Sequence, residues 1–413
     1  MKLVIAEKPS VAMALASVLG ARTRKDGYVE GNGYIVSWCV GHLVGLCDAS
    51  EYDEKYKKWR YEDLPIVPEC WKHKILEGTK KQFGILKKLM RDSKVDEVIC
   101  ATDAGREGEL IFRLVYEQAG CKKPMKRLWI SSMEEQAIKD GFASLKDGSC
   151  YDSLYQSALC RAKADWLVGI NASRLFSVLY NQNLKVGRVQ TPTLAMIVDR
   201  NQKIKEFTKE KYYMAHIKFD DMDAVTEHFQ KKEDADKVTA DCAERMCEVE
   251  KDDVKEKTVR PPKLYDLTTL QREANRMFGY TAQQTLDAVQ EMYEQKLVTY
   301  PRTDSQYLTD EMGESTETLI QMLLGKMPYA EGLEYQPDVS KVLNSKKVSD
   351  HHAIIPTMEV AKADIGKLKE RNCKILYLIS ARVLTATADP YIYESHKCQI
   401  TCNYHTFYLS AKK

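Results

Sequence analysis

The stretch VDEVICATDAGREGELIFRLVYEQAG (Val95–Gly120) reads as strand, turn and helix in immediate succession. VDEVICA is short, β-branched and apolar, the pattern of a buried strand. TDAGREGE supplies the glycines and acids of a turn, and LIFRLVYEQA carries apolar residues at helical spacing until Gly120 stops it. The N-terminus repeats the arrangement. Leu3–Ala6 is a strand, Glu7-Lys8-Pro9-Ser10 a loop, and Val11, Leu15, Val18 and Leu19 continue at helical spacing to Gly20, with Pro9 suited to the first turn. Downstream, Arg127–Ser131 reads as a further strand, and Ser132 with Glu135 as a capping box for a helix beginning near Met133. Alternating strands and helices predict an α/β layer with a mostly parallel sheet over residues 1–150.

Beyond it the pattern changes. Tyr151 to Phe207 is helical and basic, broken by GRVQTP (Gly187–Pro192). Between Arg161 and Lys205 stand eight Lys/Arg against two acids, although the whole chain of 413 residues carries a net charge of only +2. A solvated helix face would look the same, but a basic segment of this kind can follow a phosphate backbone. Lys211–Phe219 reads as a strand, the acid-rich stretch Asp220–Asp253 follows, and Pro261-Pro262 punctuates it. Thr268/Gln271 and Thr281/Gln284 then match capping boxes of two helices, and LVTYP is a short extended segment holding Tyr300. The expected divisions are 1–150, 151–210, 211–262, 263–390 and 391–413. The twelve cysteines include no pair of CxxC units, so they read as reduced, mostly buried residues rather than a zinc site. No apolar run approaches membrane-spanning length, and a cytoplasmic protein without a membrane partner is expected.

Two strand ends deliver carboxylates to loops: Glu7 on one, Asp103, Glu107 and Glu109 on the other. Ligands of open α/β sheets bind where strands end, and clustered carboxylates there suit Mg²⁺, a hard ion that takes oxygen ligands. Taken alone, Asp103 and Glu107 fit an acidic first turn complementing the helix dipole about as well as a metal site.

IAEKPS (5–10), ATDAGREGE (101–109), GRVQTPTL (187–194), LTTLQREANRMFGY (267–280), TYPRTDS (299–305) and HHAIIPT (351–357) occur in that order. This series resembles type IA DNA topoisomerases, most closely the bacterial topoisomerase III branch. The resemblance implies a multidomain α/β plus α fold: an N-terminal Toprim domain, a helical DNA-holding segment, and a strand-rich arch with an inserted helical, tyrosine-bearing domain. It implies an ATP-independent isomerase that cuts one strand of single-stranded or underwound DNA through a 5′-phosphotyrosine, passes DNA through the break and rejoins it with Mg²⁺. Tyr300 would be the nucleophile and Arg302 its neighbour at the scissile phosphate. Glu7, Lys8 and His351 would share the cleavage site, and Glu7, Asp103 and Glu107 would hold the metal. Arg161, Asp165, Arg188 and Gln190 would hold the strand. Nucleoid association is implied, and a helicase is a candidate partner.

Residue chemistry points the same way. A phenol of ordinary pKa near 10 needs cationic surroundings to attack an anion at neutral pH. Arg302, two residues along an extended segment, shares a face with Tyr300 and can grip phosphate oxygens in a fork. Lys8 adds charge, and Glu7 could protonate a departing 3′ oxygen if neighbouring acids raise its pKa.

Two departures stand out. The family's acidic motif is commonly Asp-x-Asp-x-Glu, and here the middle acid is Gly105, which should weaken Mg²⁺ binding unless Glu109 or Glu7 compensates. The sequence also stops at Lys413 shortly after strand-like Ser395–Thr401, before the GIGTPATR-like segment of the family. The expectation is therefore strand binding and at most weak cleavage without relaxation. The alternative reading is a fragment that binds single-stranded DNA without completing strand passage.

Overall fold

Parallel pairing at the centre of one sheet decides where the acidic loops meet. In the computed structural model, which describes residues 1–333 and 336–413, the N-terminal strands are β1 (Lys2–Ala6), β2 (Thr23–Lys25), β3 (Tyr28–Gly31), β4 (Tyr34–Trp38), β5 (Val44–Leu46), β6 (His73–Ile75), β7 (Glu97–Ala101), β8 (Met125–Arg127) and β9 (Lys146–Asp147). Seven of them form a sheet of order β2-β3-β4-β1-β7-β8-β9, while β5 pairs with β6. Strands β4, β1, β7 and β8 are mutually parallel, and the edges are antiparallel. The expected mostly parallel sheet is thus parallel only in its middle. The missed edge is a meander whose second turn contains Asn32-Gly33, both at positive φ, an Asn-Gly hairpin signal.

Helices α1 (Pro9–Leu19), α2 (Lys80–Arg91), α3 (Arg106–Gln118) and α4 (Glu135–Ala143) accompany this sheet. α1 ends at Gly20 in the left-handed conformation, as its sequence position suggests. β8 stops at Arg127, short of the expected strand to Ser131. α4 starts at Glu135 rather than near Met133, because Ser132 Oγ accepts from the Glu134 N–H at 3.2 Å before the helix begins. Leu3, Ile5, Val98 and Phe112, all fully buried, belong to the core between sheet and α3.

α5 (Asp152–Tyr180) and α6 (Gln190–Lys205) follow, separated by the GRVQ loop. The chain divides into two compact units, one of Met1–Ala195 with Lys263–Ala386, the other of Met196–Pro262 with Thr387–Lys413. The second unit holds an antiparallel sheet of β10 (His216–Phe219), β11 (Met222–Val225), β12 (Glu248–Val259), β13 (Tyr391–Cys402) and β14 (His405–Lys412), in the order β10-β11-β14-β13-β12. Val238 of α7 (Lys232–Cys242) packs with Ile400 and Phe407 in its small core. The strand expected from Lys211 begins only at His216.

In the first unit, α8 (Leu267–Phe278), α9 (Ala282–Glu294), α10 (Gly313–Lys326) and α11 (Glu370–Ala386) build the tyrosine-bearing region. The Thr281/Gln284 capping box forms on both sides. The Thr268/Gln271 box does not. Asp266 caps α8 instead, accepting from the Thr269 N–H at 2.6 Å, because the helix begins two residues earlier than that box requires. Of the twelve free cysteines, only Cys39, Cys47, Cys100 and Cys402 are fully buried, so "mostly buried" overstated their burial.

Candidate active site

Register builds the acidic half of the site. In the β1–β7 pairing Ala6 lies opposite Ala101, so both strands run out at the same edge and Glu7 meets Asp103. The Asp103 N–H donates to Glu7 Oε2 at 3.3 Å. Burial, and then the Asp103 charge, push the Glu7 carboxyl up to about 7. Burial raises Asp103 as well.

The loop is held from below by a residue that sequence reading passed over. Arg127, 1% exposed, donates from Nη1 to the Thr102 carbonyl at 2.7 Å and from Nη2 to the Asp103 carbonyl at 2.7 Å. Its Nε lies 3.0 Å from Glu109 Oε2, and Arg113 Nε donates to Glu109 Oε1 at 2.8 Å. Glu109 is therefore buried and committed to two arginines, and cannot compensate for Gly105 at a metal. Nothing in the spacing announces this, since Arg127 belongs to a different strand. Gly108 serves close approach: a Cβ there would stand 2.1 Å from the Asp103 carbonyl oxygen.

The tyrosine arrives from the other side of the unit. Val298 bridges Pro356 and Tyr265 bridges Ile354. The Thr299 N–H donates to the Ile355 carbonyl at 2.9 Å, and Thr303 Oγ1 to the His351 carbonyl at 2.9 Å. TYPRTDS and HHAIIPT are thus laced into one support. The Tyr300 N–H then donates to the Ser131 carbonyl at 3.0 Å, just beyond β8, and its phenol lines one cleft with Asp103 and Glu7. The ring packs edge-on to Tyr293 at 5.4 Å and tilted on His351 at 4.3 Å.

Charge around the phenol differs from expectation. Burial raises its pKa well above the ordinary value, and Asp103 and Glu7 add to the rise. Two acids thus adjoin the phenol, while Lys8 and Arg302 act on the same carboxylates, lowering Glu7 and Asp103 against their burial; Lys8 Nζ also sits 3.6 Å from Glu294 of α9. Arg302 lines the same open cleft of about 500 Å³ as Glu7, Asp103, Glu107, Arg161 and Tyr300. His351 is buried, its pKa pushed down to about 4 by desolvation. Its Nδ1 lies 2.9 Å from Ser131 Oγ, and it stacks on Trp129 at 6.4 Å. It is a neutral wall of the site, not a cation.

Of the expected metal set, Glu7 and Asp103 adjoin. Glu107 instead pairs with His42 Nε2 at 2.8 Å, which lowers its pKa. Among the described residues no three His, Cys, Asp or Glu groups converge closely enough to hold a metal alone. Two carboxylates held up by burial, opening on a roomy cleft, still fit a hard divalent cation that keeps waters. Glu7 and Asp103 would hold it, with Glu107 on the same cleft.

The expected strand-holding residues lie on α5 and at the start of α6. Arg188 Nε donates to Asp165 Oδ1 at 2.5 Å, Arg161 Nε stands 3.9 Å from Asp165 Oδ2, and Gln190 opens α6, exposed. Arg161 reaches the cleft; Asp165, Arg188 and Gln190 do not line it.

Such an α/β sheet, with carboxylates at its parallel strand ends and a tyrosine lowered onto them from a helical region, defines the class of Toprim-containing, tyrosine-bearing proteins. Residues 2–133 match the Toprim domain family and residues 149–413 the family described as DNA topoisomerase. The chain belongs to the type IA DNA topoisomerases, on the topoisomerase III branch. It is 42% identical to DNA topoisomerase 3 of Shouchella clausii, over 97% of this chain and 57% of that protein. Against DNA topoisomerase 3 of Bacillus cereus (strain ATCC 14579) identity is 43%, over 99% and 58%. The chain thus spans somewhat over half the length of these relatives. Full-length topoisomerase I from Thermotoga maritima shares the fold, with a TM-score of 0.72 at 24% identity over 99% of this chain and 65% of that one. Among the described residues no helix is long and apolar enough to cross a membrane.

Proposed function

We propose that this chain cleaves and rejoins one strand of single-stranded or underwound DNA through Tyr300. The observation that carries the reading is the Tyr300 phenol in one cleft with Asp103, Glu7 and Arg302. A phenol whose pKa is raised stays protonated, so attack needs a base, and Asp103 on the same cleft would be that base. Tyr300 Oη forms a bond to phosphorus as the bond from phosphorus to the 3′ oxygen breaks. The phenolic proton passes to Asp103, and Glu7, protonated for much of the time near neutrality, supplies one to the departing 3′ oxygen. Rejoining reverses each transfer. An ester replaces an ester, so no nucleotide hydrolysis is required.

Arg302 steadies charge on the non-bridging phosphate oxygens. When bound, Mg²⁺ would neutralise the Glu7–Asp103 pair and attract phosphate, which favours rejoining. Arg161, Asp165, Arg188 and Gln190 guide the strand along α5. The setting is the nucleoid, and a helicase that exposes single strands is the matching partner class.

A denaturing gel for covalent adducts with labelled oligonucleotide tests the assignment. The parent should give an adduct. Tyr300→Phe should give none while binding the strand within about twofold, since ring packing survives and only a peripheral oxygen is lost. An adduct in that variant would reassign the nucleophile. Binding by the parent without any adduct would favour the alternative of a strand-holding fragment.

A further inference from the structure

The segment Lys55–Tyr61, KYKKWRY, alternates cations with aromatic rings in a part of the chain that the cleavage chemistry does not use. Lys55 and Lys57 are ion-paired with Asp53 and Glu54. Lys58 and Arg60 are exposed and have no ion pair among the described residues. Trp59 and Tyr61 expose 45% and 58% of their surface. An indole that open to water is costly unless something covers it in use.

The segment is not loose. Asn171 of α5 clasps Ile66, accepting from its N–H at 2.6 Å and donating to its carbonyl at 2.9 Å. Trp166 Nε1 donates to the Cys47 carbonyl at 2.9 Å and packs edge-on against Tyr52. Beneath Trp59 lies Arg174, its guanidinium 5.3 Å from the indole. Arg174 is 6% exposed, and among the described residues its Nε and Nη1 have no hydrogen-bond partner. A cation so buried fixes the ring above it by cation–π attraction and leaves the outer face free.

The catalytic cleft extends along α5 in the direction of this segment. A second groove of about 420 Å³ shares His42, Glu107 and Arg161 with the cleft and runs along α5 to Trp166. Arg174 is eight residues further along, about 12 Å at 1.5 Å per residue, and thirteen residues from Arg161, about 20 Å. At the 3.4 Å spacing of a stacked strand, that is about six nucleotides, and fewer if the strand is extended.

We infer that Trp59, backed by Arg174, is a stacking platform for one base of the bound single strand, up to about six nucleotides beyond the stretch held at Arg161, with Lys58 and Arg60 on the flanking phosphates. The inference rests on the reading that the cleft takes single-stranded DNA. Every base has a face to stack, so the platform anchors the strand at a fixed distance without selecting sequence.

The test is an abasic scan. Oligonucleotides with one known cleavage position, and a single abasic site moved stepwise along each side of it, are titrated by fluorescence anisotropy into the parent, Trp59→Ala and Trp59→Phe. In the parent, one abasic position on one side of the cleavage position should weaken binding about five- to hundredfold. In Trp59→Ala that position should become indifferent, and Trp59→Phe should restore part of the effect. A merely structural role would lower affinity equally at every position. A parent that binds and cleaves but shows no sensitive position, or a sensitivity that persists in Trp59→Ala, overturns the platform and leaves the cleavage assignment standing. If Trp59→Ala does not fold, the scan on the parent with Trp59→Phe decides alone. A parent that binds no strand defeats the underlying reading instead.

Discussion

At Glu7, burial and a neighbouring carboxylate work in one direction. Its folded pKa of about 7 lies above the ordinary 4.5, so folding favours the protonated form. The sign follows: the native state binds a proton that the unfolded state has released between those values. That contribution to stability is complete below about pH 4.5, is lost as pH rises towards 7, and is flat above. Asp103, also raised by burial, acts with the same sign, and the two titrate as a pair. Glu7→Gln stays neutral and frees Asp103 of its acidic neighbour. Urea midpoints at pH 5 and pH 8 should therefore differ less in the variant than in the parent. Equal differences would show that Glu7 is not the titrating group.

At the level of elements, the β7–α3 turn is the part that positions Asp103, and Arg127 of β8 organises it. Arg127→Met would leave Glu109 buried with a single partner and strip donors from the Thr102 and Asp103 carbonyls. Breaking a buried pair this way costs about 3–5 kcal/mol, and chemical denaturation should read a loss of that size. A loss below about 1 kcal/mol would mean that water replaces the guanidinium. Gly105 in the same turn is different. It is extended, at φ 171°, caps the N-terminus of α3, and a Cβ there meets open space. A left-handed turn or a close backbone approach would each require glycine, and the geometry removes both reasons. Gly105→Asp should fold at least as well as the parent, since aspartate is a good N-cap. It should also lower the Mg²⁺ concentration for half-maximal rejoining. Unchanged metal dependence in a folded variant would remove the missing carboxylate as the cause of weak affinity.

Across the whole molecule, a net charge of +2 does not draw DNA in; local arginines do. Arg161 is half exposed, with only a distant acid, while Arg188 is tied to Asp165 at 2.5 Å. Arg161→Ala should weaken binding of all oligonucleotide sequences alike and reduce the slope of log affinity against log salt by about 0.7, one phosphate contact on a single strand. An unchanged salt slope would take Arg161 off the strand's path.

What the sequence by itself determined is local or ordered along the chain: the strand–turn–helix units that end in acids, the Thr281 capping box, the order of six motifs, and through them the family. These depend on neighbours within a turn or two of backbone, where spacing is geometry. Tertiary structure alone decided the rest. Glu7 and Tyr300, almost three hundred residues apart, share a cleft because β1 and β7 end in register and because Ser131 receives the Tyr300 N–H. Glu109 looked like a metal ligand until Arg113 and Arg127 closed on it, and only the fold shows Lys8 beside Glu294 of α9. The phenol's acidic surroundings, the neutral His351 and the Trp59–Arg174 pair are likewise invisible in one dimension. Burial and Coulomb interaction act through space between segments whose separation along the chain carries no record of their distance.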